Sequence, residues 1–158
     1  GTGFTLIEIM VVLLILAITL GMVGINLQRG DSNRVREEAD RIVILLQAAR
    51  EEAILQGQVF AVQFGNDGYR FLRLNNEGKL ETIEHDDVLS PRSLPDGVTL
   101  SFTLDGAAAD TEAGLILDPS GSFIPFVLTL RAGEAMWQAL GLANGKIQSM
   151  PPETQHAG

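Results

Sequence analysis

Glu8 is the residue whose chemistry folding alone explains least. It stands in an apolar run, Phe4 to Ile25, reading FTLIEIMVVLLILAITLGMVGI, in which the other polar residues are Thr5 and Thr19. A carboxylate on the lipid face of such a segment costs about 2.5–3.5 kcal/mol, so it needs a compensating partner or a route to water. Two readings are open. In one, Glu8 sits in the first turn of a helix, near enough to an interface to snorkel and to gain from the helix dipole. In the other, it meets a positive group of another molecule at the same depth. An α-amino group made by cleavage just before Phe4 would be such a group.

Other chemistry finds less support. A hydrolase needs a nucleophile and a base held by a third group, yet the histidines are His85 and His156 alone and there is no cysteine. Ser120 lies in Pro119-Ser120-Gly121 without the nucleophile-elbow pattern. Asp105, Asp110, Glu112 and Asp118 crowd one stretch, and hard cations take carboxylate ligands, but the spacing is not that of a calcium loop. His85-Asp86-Asp87 reads as a surface charge cluster. No metal site and no cofactor is expected, and the chain is expected not to be an enzyme.

The elements that must carry these residues divide the chain by charge. Its net charge is −9 over 158 residues. Residues 1–28 carry only Glu8, residues 29–57 five Arg against six acids, and residues 58–158 six bases against thirteen acids. Such a body repels phosphate backbones, and after residue 132 the only base is Lys146, so nucleic acid is a disfavoured partner. As a helix, Phe4–Ile25 is about 33 Å long, enough to cross a hydrocarbon core of about 30 Å. Gly30-Asp31-Ser32-Asn33 interrupts the pattern as a linker, with Ser32 or Asn33 as the N-cap of a second helix. In residues 34–56 one apolar face repeats at Val35, Ala39, Ile42, Leu46, Ala49 and Ala53. Glu37, Glu38, Arg41, Arg50 and Glu51 fall elsewhere, with Glu37 to Arg41 a favourable i,i+4 pair. Gly57 ends the helix.

Beyond Gly57 the period becomes two. Phe60, Val62 and Phe64 lead through Gly65-Asn66-Asp67-Gly68 into Tyr69–Leu74, a β-hairpin. A short strand near Lys79–Ile83 follows, then a proline-punctuated crossing at Leu89–Pro95. Val98–Leu104 alternates cleanly, and Asp105–Gly114 reads as a loop. Leu115–Asp118, Phe123–Arg131, Ala135–Leu140 and Lys146–Met150 supply further strands. The tail, Pro151–Gly158, reads as flexible.

Gly3-Phe4-Thr5-Leu6-Ile7-Glu8 followed by an unbroken apolar run resembles the signal of type IV pilins and type II secretion pseudopilins. The body motifs resemble the GspH/FimT group of minor pseudopilins and minor pilins: Ala48-Ala49-Arg50-Glu51-Glu52-Ala53-Ile54, Gly68-Tyr69-Arg70-Phe71-Leu72, Leu94-Pro95-Asp96-Gly97-Val98 and Asp118-Pro119-Ser120-Gly121. The resemblance implies cleavage between Gly3 and Phe4, N-methylation of Phe4 and an assembly role for Glu8. It implies an α+β fold: a long N-terminal helix, membrane-spanning in its first half and amphipathic in its second, packed on a β-sandwich-like antiparallel body. Residues 1–3 would then end the leader, 4–26 form the transmembrane and assembly helix, 27–57 the linker and amphipathic helix, 58–150 the β-rich periplasmic domain and 151–158 the tail. The implied function is that of a structural subunit of the periplasmic pseudopilus of a type II secretion system, anchored once in the inner membrane. The implied partners are other minor pseudopilins, the major pseudopilin, the prepilin peptidase, the inner-membrane assembly platform, the lipid bilayer and secreted exoproteins. The alternative implied by the same group is a minor type IV pilin of the FimT/FimU kind, in pilus priming or DNA uptake.

Overall fold

The computed structural model describes residues 3–109 and 114–152, the side chains of residues 23–28 excepted. Its first element is one uninterrupted helix, α1, Leu6–Gln56. The expected break at Gly30–Asn33 is therefore corrected. A glycine costs about 1 kcal/mol inside a helix, which a long ladder of hydrogen bonds absorbs. Asp31 also pairs with Arg34 one turn on at 3.2 Å, across the expected break. Gly57 closes the helix as expected, in the left-handed conformation at φ 61°, with its own N–H and that of Gln58 turned back onto Ile54 and Ala53 carbonyls.

Among the described residues ten antiparallel strands follow: β1 Phe60–Phe64, β2 Gly68–Leu74, β3 Leu80–Thr82, β4 Arg92–Ser93, β5 Thr99–Leu104, β6 Ala107–Ala108, β7 Leu115–Leu117, β8 Phe126–Ala132, β9 Ala135–Gly141 and β10 Ile147–Met150. One sheet has the order β3-β2-β1-β7, with β4 on the same edge of β2 as β3 but at its other end. The second runs β10-β9-β8-β5-β6. The hairpin register is Phe60 opposite Arg73 through Phe64 opposite Tyr69. Two short strands are absent from the sequence expectation: β4 inside the proline crossing and β6 inside the expected loop. Of that loop, residues 110–113 lie outside the described residues, as do residues 153–158 of the tail.

The amphipathic stripe is the core of the molecule. Val35, Ala39, Ile42, Leu46, Ala49 and Ala53 are all buried, and they face Phe60, Val62, Leu115 and Leu117 of one sheet and Leu128, Leu130 and Ala139 of the other. Alternation along β8 buries Phe126, Leu128, Leu130 and Ala132 while Arg131 stays exposed, as a sheet with one covered face requires. Polar ties then hold α1 along β9 and β10. Arg36 lies over the Trp137 ring at 5.5 Å, the Ser149 hydroxyl donates to Asp40, and Gln47 Nε2 donates to the Ile147 carbonyl at 3.3 Å.

Two charged residues depart from their expected places. Glu38 is 2% exposed; it accepts from the Tyr69 hydroxyl at 3.1 Å and pairs with Arg41 at 3.2 Å, so the ion pair is i,i+3 from Glu38 and not i,i+4 from Glu37. Arg50 is half-buried: Nε donates to the Gly121 carbonyl at 2.7 Å, Nη1 to the Gly145 carbonyl at 2.9 Å, and the guanidinium lies 5.5 Å from the Phe123 ring centre.

Candidate functional site

The N-terminal part of α1 makes no use of the body. Every described residue from Gly3 to Met22 is exposed, Phe4 and Leu6 at 77% each, and the first buried residue among the described ones is Val35. At about 1.5 Å per residue, Glu8 stands about 40 Å along the helix from Val35. Among the described residues its carboxylate takes part in no ion pair.

Glu8 is nevertheless built into the helix start. Thr5 is the N-cap, in extended conformation at φ −76° and ψ 153°, and its hydroxyl accepts from the Glu8 N–H at 3.2 Å. Thr5-x-x-Glu8 is the spacing of a capping box, in which an acid or amide at the third helical position supports the cap. Glu8 is also the acid of the first turn, where the positive end of the helix dipole favours it. The first-turn place of Glu8 is thus present, and among the described residues no ion pair neutralises its charge. Glu8 shares a shallow groove of about 230 Å³ with Phe4, Ile9, Val12 and Leu13, so a carboxylate is set beside apolar surface at one end of a bare rod.

Among the described residues no helix is long and apolar enough to cross a membrane. Within the expected span the side chains are described up to Met22, and those of Val23, Gly24 and Ile25 lie outside the described ones.

The other candidate chemistry is scattered. Ser120 sits in the turn after β7, its hydroxyl bonded to that of Ser122 at 3.0 Å. The Ser120 side chain and backbone N–H hold the exposed Asp118 carboxyl below its usual range. His85 is exposed in the segment before β4, and His156, Asp110 and Glu112 lie outside the described residues. Among the described residues, no three of His, Cys, Asp and Glu gather as a metal would need. Asp86 accepts from the Leu89 and Val88 N–H groups, both at 2.8 Å, which lowers its carboxyl.

Comparison with known proteins gives three findings. Residues 38–145 match the family model described as type II transport protein GspH, and residues 2–24 match the prokaryotic N-terminal methylation motif. The chain is similar to type II secretion system protein H of Aeromonas hydrophila, 29% identical over 150 residues, covering 82% of this chain and 80% of that one. It is likewise similar to type II secretion system protein H of Vibrio cholerae, 31% identical over 183 residues, covering 95% and 94%. In fold it is similar to the crystal structure of the minor pseudopilin EPSH from the type II secretion system of Vibrio cholerae, with a TM-score of 0.67, 25% identity, and coverage of 78% of this chain and 99% of that one.

Proposed function

The chain belongs to the GspH family of type II transport proteins, and we infer from that membership, together with the anatomy above, that it is a minor pseudopilin of a type II secretion system. It assembles with other pseudopilins into the periplasmic pseudopilus, which supports export of folded proteins across the outer membrane. The observation that carries the reading is the division of a single helix: one half buries an apolar stripe in the body, and the other, over its described side chains, is exposed, apolar and marked by one carboxylate.

The roles of the first residues follow as part of the proposal. A prepilin peptidase cuts between Gly3 and Phe4, Phe4 becomes the methylated N-terminus, and its cationic amine meets Glu8 of a neighbouring subunit. Before assembly, residues 4–26 hold the subunit in the inner membrane with the body, residues 58–150, in the periplasm. What supports the anchor is the 22-residue apolar run, about as long as a hydrocarbon core is thick. What supports the pairing is energetic: leaving the bilayer for a bundle of like helices keeps the apolar surface covered, while a charge pair formed away from water is stronger than one at a surface. The body's loops and sheet edges then select among minor and major pseudopilins, the assembly platform and secreted proteins. The chain acts as a structural subunit and not as an enzyme; in support, the family model and the relatives it matches are those of transport and secretion-system proteins.

Co-expression of the full chain with a prepilin peptidase tests the processing step. Mass spectrometry is expected to find a mature chain beginning at N-methylated Phe4. A chain retaining Gly3 after exposure to an active peptidase would sink it.

A further inference from the structure

Residues 58–158 hold six basic residues against thirteen acids, and two of the six, Arg70 and Arg92, line one cleft. The cleft, about 650 Å³, opens between the turn joining β1 to β2 and the segment Pro91–Ser93. Strand pairing makes it: β4 lies on the edge of β2 with Arg92 opposite Tyr69, the neighbour of Arg70.

Each guanidinium has five N–H donors. Arg70 commits Nε to Gln63 Oε1 at 2.9 Å, and Arg92 commits Nη2 to the Val88 carbonyl at 3.3 Å. Among the described residues neither forms an ion pair, although Asp67 lines the same cleft. Arg92 Nε is moreover buried and has no hydrogen-bond partner among the described residues. Three of the five arginines of α1 are used differently. Arg34 and Arg41 are ion-paired, and Arg50 is spent on two carbonyls.

We propose that this cleft is a docking site for an acidic segment of a partner protein, whose carboxylates are received by Arg70 and Arg92. The planar guanidinium fork matches a carboxylate in two-point geometry. A short segment also suits the surroundings, because the acidic surplus of the body opposes a long polyanion running past the cleft, while the cleft's own charges act within a Debye length of about 8–10 Å. The site does not depend on the assembly role of Glu8.

The test uses the full chain in nonionic detergent and a fluorescein-labelled hexaglutamate peptide, read by fluorescence anisotropy. Saturable binding is expected, weakened about tenfold or more by Arg70→Glu, as loss of a charged hydrogen-bonding partner implies. Arg73→Glu, an exposed arginine of the same strand outside the cleft lining, is expected to change it less than about twofold by the same reasoning. Arg92→Gln, with the fold checked by circular dichroism, is expected to weaken binding as Arg70→Glu does. No saturable binding, equal losses from Arg70→Glu and Arg73→Glu, or displacement by inorganic phosphate or an oligothymidylate as readily as by unlabelled peptide would overturn the proposal.

Discussion

The hydroxyl of Tyr69 donates to Glu38 Oε1 at 3.1 Å inside the core, joining a strand to the helix that covers it. Burial first, then the Glu38 charge and the hydrogen bond to it, raise the Tyr69 phenol above its ordinary value of 10.0, against smaller opposing effects of Arg92 and Arg41. In the unfolded chain the phenol loses its proton near 10, whereas in the folded chain it keeps it. The unfolded state therefore binds fewer protons above pH 10, and stability falls as pH rises from there. Because Tyr69 is the single tyrosine, absorbance titration of phenolate reads it directly. The midpoint should lie above 10 in the folded protein and return to about 10 in denaturant.

Tyr69→Phe keeps the ring and deletes the donor, leaving Glu38 with Arg41 alone. Urea denaturation at neutral pH should show a loss of about 1–3 kcal/mol, the cost of an unmet buried partner. The same variant should lose the alkaline decline in stability just described.

Arg50 holds two turns at once through the Gly121 and Gly145 carbonyls. Lysine presents a single point charge and cannot reproduce that fork. Arg50→Lys and Arg50→Ala should each destabilise by about 2–3 kcal/mol, since hydrogen bonds from a charged donor are being lost. Hydrogen exchange should quicken at the Gly121 and Gly145 amides, which close these turns onto the Asp118 and Leu142 carbonyls. Unchanged exchange there would contradict the clamp.

Gly141 faces Phe126 across β8 and β9, and the ring lies over it. A Cβ at Gly141 would fall 2.1 Å from Phe126 Cε1 and 2.8 Å from Phe123 Cε2. Gly141→Ala should cost about 1–3 kcal/mol by overpacking. Adding Phe126→Leu should recover part of that loss, a coupling that a double-mutant cycle measures.

The sequence reveals most where the cause is local. The stripe from Val35 to Ala53 is legible because six apolar residues at helical spacing all face one core. The hairpin from Phe60 to Leu74 is legible because alternation and a Gly65–Gly68 turn agree. Glu38 and Arg50 are illegible for the opposite reason: Tyr69 lies 31 residues from Glu38, and the carbonyls that Arg50 grips are 71 and 95 residues away. Strands β4 and β6 have two residues each, too few for a period, and exist only because β2 and β5 offer them an edge. Arg70 and Arg92 come to one cleft through such a pairing. At the N-terminus the lone charge of Glu8 is plain in the sequence, and so is the capping-box spacing Thr5-x-x-Glu8, in which the Thr5 hydroxyl accepts from the Glu8 N–H.

That double role of Glu8 permits a decisive variant. Glu8→Gln preserves the capping-box residue type while deleting the charge, so the helix start survives and the proposed pairing does not. Complementation of a strain lacking this chain, with exoprotein secretion and co-purification of other pseudopilins as readouts, should show membrane insertion retained and both readouts lost for Glu8→Gln and Glu8→Ala alike. Secretion and co-purification at wild-type levels with Glu8→Gln would contradict the claim that this carboxylate's charge drives assembly.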